Sequence, residues 1–214
     1  PSGNFGNIYA GFLARSMGVP IRRLILATNE NNVLEEFFST GIYRPRSAED
    51  TLATSSPSMD ISKASNLERF IWALLGPEVF VQRWAELEAT GTLDLRDQLP
   101  RLREEFGFVA GTSSHSDRLE AIRSVKERSG RLIDPHTADG VTVALRVMEP
   151  GFPTLVMETA KAAKFPQTVA EALGSEPETP DVVADLLARP QKVETIDNEE
   201  APLRALIEER ALTR

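Results

Sequence analysis

The opening residues Pro1-Ser2-Gly3-Asn4-Phe5-Gly6-Asn7 set two glycines and small polar side chains directly ahead of Ile8, Phe12, Leu13 and Met17, an apolar series at helical spacing. Where such a turn enters a helix, backbone N–H groups point outward without intrahelical partners and the positive end of the helix dipole lies behind them. That arrangement suits a phosphate. Gly3 and Gly6 allow close backbone approach, and Ser2, Asn4 and Asn7 add side-chain hydrogen-bonding groups. A glycine-rich helix cap without a ligand fits the same residues.

The elements that must position this loop follow α/β grammar. A helix is expected from Gly6 to Met17, stopped at Gly18-Val19-Pro20, and then a buried parallel strand at Leu24-Ile25-Leu26-Ala27. Thr28-Asn29-Glu30-Asn31 caps a second helix, Asn32 to Ser39, and places Thr28 and Asn29 at a strand's carboxyl end, where open parallel sheets hold ligands. Gly41 to Ser58 reads as a long loop, and loops beyond about 12–15 residues are usually functional or mobile. Helices are expected from Asn66 to Leu75 and from Pro77 to about Thr90, with Trp72 and Trp84 as core anchors and a polar helix from Asp97 to Phe106 outside the sheet.

Phe108 to Ser113 reads as a strand, and Ser114 or Ser116 caps a helix to about Ser129. His115 and Ser113 lack the Gly-x-Ser-x-Gly turn and second base of a hydrolase. Asp134 and Thr137 read as caps of a helix from Asp139 to Met148, with His136 a hydrogen-bonded structural histidine. Thr154 to Glu158 is strand-like with Thr159 at its carboxyl end, and a helix follows from Pro166 to Leu173. The charged tail suggests outer helices at Pro180 to Leu187 and Ala201 to Leu212.

Composition narrows the function further. A net charge of −8 from 24 Lys plus Arg and 32 Asp plus Glu argues against a general nucleic-acid binder, so any anion needs a local site. With no cysteine and two histidines a zinc cluster is not expected, nor are disulfides. No apolar run of about 18 residues marks a membrane span, and a cytoplasmic setting is expected.

Several ordered stretches carry a family resemblance. Ser2-Gly3-Asn4-Phe5-Gly6-Asn7 resembles the loop that cradles the phosphate of pyridoxal 5′-phosphate in threonine synthases, within the fold type II (tryptophan-synthase-β-like) enzymes. Ala27-Thr28-Asn29-Glu30-Asn31-Asn32-Val33-Leu34 is similar to that family's A-T-N-x-N-D-x-L. Ser56-Pro57-Ser58-Met59-Asp60-Ile61, with Asn66 and Arg69 beyond, is similar to S-x-x-M-D-I/V…N-x-x-R. Asp134-Pro135-His136-Thr137-Ala138 matches D-P-H-x-A, and Thr159-Ala160-Lys161-Ala162-Ala163-Lys164-Phe165 resembles T-A-H-P-A-K-F.

The resemblance implies an open, mostly parallel sheet flanked by helices, a three-layer αβα large domain. It would span residues 1–174, with a helical insertion at about 65–106 and a helical extension, 175–214, packed on it. It places the cofactor phosphate on Ser2, Gly3, Asn4, Phe5, Gly6 and Asn7 and the Thr159 hydroxyl on the pyridine nitrogen, although Thr159 also reads as an ordinary strand-end hydroxyl. Ser56, Ser58, Asp60, Asn66 and Arg69 are candidates for substrate contact, with Arg69 equally readable as an exposed helix arginine.

The implied activity is conversion of O-phospho-L-homoserine and water to L-threonine and phosphate. The family's Schiff-base lysine lies in an F-K-D-like motif ahead of the phosphate loop, and none of Lys63, Lys126, Lys161, Lys164 and Lys192 stands in such a motif. The chain therefore reads as the C-terminal portion of an enzyme whose remaining N-terminal part is its partner, inactive by itself. Lys161 and Ala162 depart from the usual His-Pro. A threonine dehydratase, a β-replacement synthase or a catalytically dead phosphate-ligand-binding homologue is the alternative.

Overall fold

The computed structural model describes residues 1–181, 186 and 189–211. Two compact units divide the chain, 1–178 and 179–214. In the first, helix α1 (Gly6–Ser16) leads to strand β1 (Leu24–Thr28) and helix α2 (Val33–Thr40), then to the two-residue strand β2 (Ile42–Tyr43). Helices α3 (Leu67–Leu75) and α4 (Pro77–Thr90) precede β3 (Leu93–Asp94), which pairs antiparallel with β2. Strand β4 (Phe108–Thr112) pairs parallel with β1, Leu24 opposite Phe108 and Thr28 opposite Thr112, so both strands end together. Helices α5 (His115–Ser129), α6 (Pro135–Val147) and α7 (Pro166–Leu173) complete this unit. In the second, helix α8 (Glu200–Arg210) carries the exposed pair Arg204–Glu200. The helix expected at 180–187 lies largely outside the described residues.

The parallel pair sorts its side chains to two faces, as a pleat must. Leu24, Leu26 and Phe108 enter a core with Phe5, Phe12, Phe38 and Phe70, whose rings meet in tilted and edge-on pairs such as Phe12–Phe70 at 5.0 Å. Gly111 turns the other way, where α6 comes so close that a Cβ would stand 2.8 Å from Val143 Cγ1. Helices α5, α6 and α7 share a smaller core of Ala121, Ile122, Ile133, Ala138 and Ala172. The expected three-layer α/β arrangement is thus present. No described helix is long and apolar enough to cross a membrane.

Several expectations are corrected. Trp72 is 51% exposed, because α3 buries Leu67, Phe70, Ile71 and Leu74 and position 72 lies off that stripe. Trp84, by contrast, packs half-buried against the main core, as expected, and stacks on Phe80 at 5.3 Å. The polar helix expected from Asp97 to Phe106 is instead two short turns, 96–98 and 101–105, split at Pro100, with Leu95 and Leu102 fully buried. Helix α6 begins four residues early, with Asp134 as its cap and Pro135 in its first turn. The Thr154–Glu158 segment pairs with no strand among the described residues, and Leu155 is 88% exposed.

Candidate cofactor and substrate site

The Gly3–Asn7 loop is held from three sides. Ser2 donates its amide to the Ala27 carbonyl at 2.9 Å, tying the loop to β1 near its carboxyl end. Phe5 takes φ 62°, the single positive φ at a non-glycine residue among those described, while its ring lies fully buried against Phe38, Phe70 and Phe108. Left-handed backbone is costly for a bulky residue, and the buried ring is what holds it there. On the outer side, Ser65 donates its amide (2.6 Å) and hydroxyl (2.9 Å) to Asn4 Oδ1, and Asn66 Nδ2 donates to the Asn4 carbonyl at 2.9 Å. Arg69 donates to Asn66 Oδ1 and lies 5.2 Å over the Tyr9 ring.

What this bracing leaves free is the main chain. Among the described residues, the amides of Gly3, Asn4, Phe5, Gly6, Asn7 and Ile8 donate to no acceptor. Six successive donors at a helix entrance, with the helix dipole behind them, are an arrangement that suits an anion. Glycine is required at its base, since a Cβ on Gly3 would lie 2.7 Å from Met59 Cα. One on Gly6 would lie 3.2 Å from Asn66 Nδ2.

The wall beyond the loop is the irregular segment 54–60. Asp60 organises it, Oδ1 accepting from Asn29 Nδ2 (2.8 Å), Asn31 Nδ2 (2.9 Å) and Thr54 Oγ1 (2.7 Å), and Oδ2 from the Thr54 amide (2.8 Å). Ser56 is fully buried and accepts from Asn29 Nδ2 at 3.2 Å. Ser58 is exposed; its amide donates to His136 Nε2 at 3.0 Å, and its hydroxyl has no partner among the described residues. Of the five candidate substrate contacts, then, Ser56, Asp60 and Asn66 hold the wall and loop together, Ser58 keeps a free hydroxyl, and Arg69 is exposed.

Thr159 follows the unpaired segment and donates its amide to Thr137 Oγ1 at 3.4 Å. Gly140, one turn into α6, is where the start of the chain and the segment before Thr159 approach each other. A Cβ there would meet Pro1 Cδ at 2.9 Å and Val156 Cγ1 at 3.0 Å, so the start of the loop and the segment leading to Thr159 press on one helix position. They also border an apolar groove of about 530 Å³, whose lining includes Ser2, Asn7, Ile8, Leu24, Val147 and Val156.

Sequence reasoning missed the charged centre behind the strand ends. Arg118 on α5 is completely buried and donates from Nη1 and Nη2 to the two Glu30 oxygens, each at 2.9 Å. Nη1 also donates to Asp139 Oδ1 at 3.1 Å, and Nε donates to Ser55 Oγ at 2.7 Å. Burial raises the Glu30 pKa, but the Arg118 hydrogen bonds and charge outweigh it and hold the carboxyl below its ordinary range. For Asp139 the balance is reversed: burial pushes it up to about 6 against the pull of Arg118. Its Oδ2 is buried and has no partner among the described residues. The signal for this centre was present, since Arg118 shares a helical face with Ile122, and an arginine on a buried stripe demands carboxylate partners.

His115 Nδ1 stands 2.8 Å from Ser55 Oγ and its Nε2 2.9 Å from Glu171, joining the loop to α7, whereas the Ser113 hydroxyl donates to the Ser114 carbonyl.

Comparison with known proteins shows what the chain is similar to. A sequence family described as threonine synthase, C-terminal, matches residues 137–207. The chain is 49% identical to the threonine synthase of Methylobacillus glycogenes over 98% of its own length and 45% of the relative's. Against that of Corynebacterium glutamicum it is 50% identical over 93% of its length and 42% of the relative's. A solved PLP-bound threonine synthase from Brucella melitensis superposes with a TM-score of 0.85 at 36% identity, covering 98% of this chain and 44% of that one.

This chain belongs to the threonine synthase family. It spans less than half the length of these relatives. The yeast enzyme gives a TM-score of 0.84 at 30% identity, over 98% of this chain and 46% of that one, so the fold and not only the motifs is shared with threonine synthases.

Proposed function

We propose that the chain is the C-terminal portion of a threonine synthase that converts O-phospho-L-homoserine and water to L-threonine and phosphate with pyridoxal 5′-phosphate. The observation that carries this is the run of acceptor-free amides from Gly3 to Ile8, braced from Asn4 and sealed by Phe5. When bound, the cofactor supplies an electron sink for charge developing next to the amino group of the substrate. The amides of Gly3 to Asn7, with Ser2 beside them, hold its phosphate.

The Thr159 hydroxyl would face the ring nitrogen. As a weak acid it would leave that nitrogen unprotonated, a state that favours loss of a substituent. Asn29 and Asp60 keep the Ser56–Asp60 wall rigid, so that the free Ser58 hydroxyl meets substrate, and the exposed Arg69 guanidinium is suited to the substrate's phosphate. The lysine that carries the cofactor comes from the preceding part of the enzyme. That part packs along the open edge of β1 and the adjoining apolar groove. A cytoplasmic setting goes with this reading.

The test is threonine and phosphate formation from O-phosphohomoserine by the complete polypeptide with added pyridoxal 5′-phosphate. Both products should appear in equal amounts, and this chain by itself should form neither. Phosphate release without threonine, or no reaction in the complete polypeptide, would overturn the assignment.

A further inference from the structure

Asp134 is expected from sequence only to cap α6, yet each of its oxygens ends a chain of hydrogen bonds that begins on a different wall of the site. On one side the Ser58 amide donates to His136 Nε2 at 3.0 Å, and His136 Nδ1 lies 2.7 Å from Asp134 Oδ1. Because Nε2 accepts, the imidazole proton is on Nδ1 and is donated to the carboxylate. On the other side the Thr159 amide donates to Thr137 Oγ1 at 3.4 Å, and the Thr137 hydroxyl donates to Asp134 Oδ2 at 2.5 Å.

Both chains therefore run towards one carboxylate, which also accepts the His136 and Thr137 amides as the helix cap. Asp134 is completely buried, as are His136 and Thr137 nearly so, and Phe165 packs on the imidazole at 4.6 Å between ring centres. A group that only accepts is the single kind that can terminate both chains. An amide would present a donor to one of them and reverse or break it.

We propose that Asp134 is a positioning residue that sets both walls of the site at once, holding the Ser58 turn through His136 and the Thr159 backbone through Thr137. The inference rests on the proposed reading in which Thr159 meets the cofactor ring and the Ser56–Asp60 wall meets substrate. Burial disfavours the Asp134 carboxylate, but hydrogen bonds from His136 and Thr137 outweigh it and keep the pKa low, so the acceptor form persists at working pH. Because one side chain fixes two segments, a disturbance on either chain displaces one wall relative to the other.

The experiment uses the complete polypeptide with Asp134→Asn, Thr137→Val and Thr137→Ser. In the cofactor-free proteins, amide hydrogen exchange is measured at Ser58 and Thr159. Thr137→Val removes the acceptor of the Thr159 amide and should speed exchange there by ~5- to 10-fold, leaving Ser58 unchanged. Thr137→Ser restores the hydroxyl and should behave as the unsubstituted protein; Asp134→Asn should speed exchange at one or both positions. In the loaded enzymes, Thr137→Val should lower kcat by ~10- to 100-fold, because displacement of a reacting partner by about an ångström costs that much, with KM little changed.

Unchanged Thr159 exchange in Thr137→Val overturns the proposal, as does faster exchange with kcat intact or a Thr137→Ser variant no better than Val. If Asp134→Asn fails to fold, the Thr137 pair still decides. Absence of threonine formation in the unsubstituted polypeptide would sink the function reading separately, since the exchange results do not depend on it.

Discussion

Replacing Asp139 by Asn should stabilise the protein at neutral pH, although it removes a buried partner of an arginine. Arg118 already holds both oxygens of Glu30, so its charge stays matched when Asp139 becomes neutral. The Asp139 carboxylate, with one buried oxygen lacking a partner, is the group that burial penalises. Its pKa rises from 3.8 to about 6 on folding. A folded-state pKa above the unfolded one means that folding favours the protonated form. The cost is absent below pH 3.8, grows as pH rises, and is fully present above about pH 6.

Two pKa units correspond to about 3 kcal/mol. Asn resembles the protonated form, so the variant should gain stability relative to wild type between pH 4 and 7 and keep a constant advantage above that. Urea unfolding of both proteins across this range measures the difference directly and cancels the contributions of Glu30, Asp117 and Asp134. Those three have lowered pKa values, so each adds stability above its unfolded pKa that is lost as pH falls. A variant less stable than wild type at pH 7, or a difference that does not change with pH, would refute the reasoning.

Gly3→Ala should abolish cofactor binding, followed by titration of the cofactor's visible absorbance, because a Cβ would stand 2.7 Å from Met59 Cα and force the amide run out of place. Phe5→Ala should cost about 3–5 kcal/mol in urea unfolding, the usual cost of emptying a buried aromatic site. Arg118→Met strands Glu30 and Asp139 and should cost about 3–5 kcal/mol near neutral pH, most of it recovered when Asp139→Asn and Glu30→Gln are added. Ser114→Ala breaks the reciprocal cap with Asp117 and should cost about 1 kcal/mol in urea unfolding.

Local rules served well where local rules decide the structure. The apolar period of α1, the continuous run of β1, the glycine stop at Gly41 and the Ser114 cap with Asp117 three residues on are each written within a few neighbouring residues. The family motifs fall on segments that the fold brings to one end of the parallel pair, Ser2 being tied to Ala27 and Ser113 to Thr28. Long-range chemistry was less legible. Nothing near Arg118 in the chain announces that Glu30, 88 residues away, takes both of its terminal nitrogens. Likewise the proximity of Ser58 to His136, 78 residues apart, decides a histidine tautomer that spacing does not encode. The Thr154–Glu158 run has the composition of a strand, but pairing needs a neighbour, and among the described residues β1 and β4 pair only with each other.

The central claim is that one pyridoxal phosphate spans the Gly3–Asn7 amides and the Thr159 hydroxyl. A crystal structure of the complete polypeptide with the cofactor bound measures both ends together. The account predicts phosphate oxygens at about 2.7–3.2 Å from at least three of the Gly3 to Asn7 nitrogens, and the ring nitrogen within the same range of Thr159 Oγ1. A phosphate seated elsewhere, or a ring nitrogen facing a carboxylate with Thr159 turned away, would contradict it.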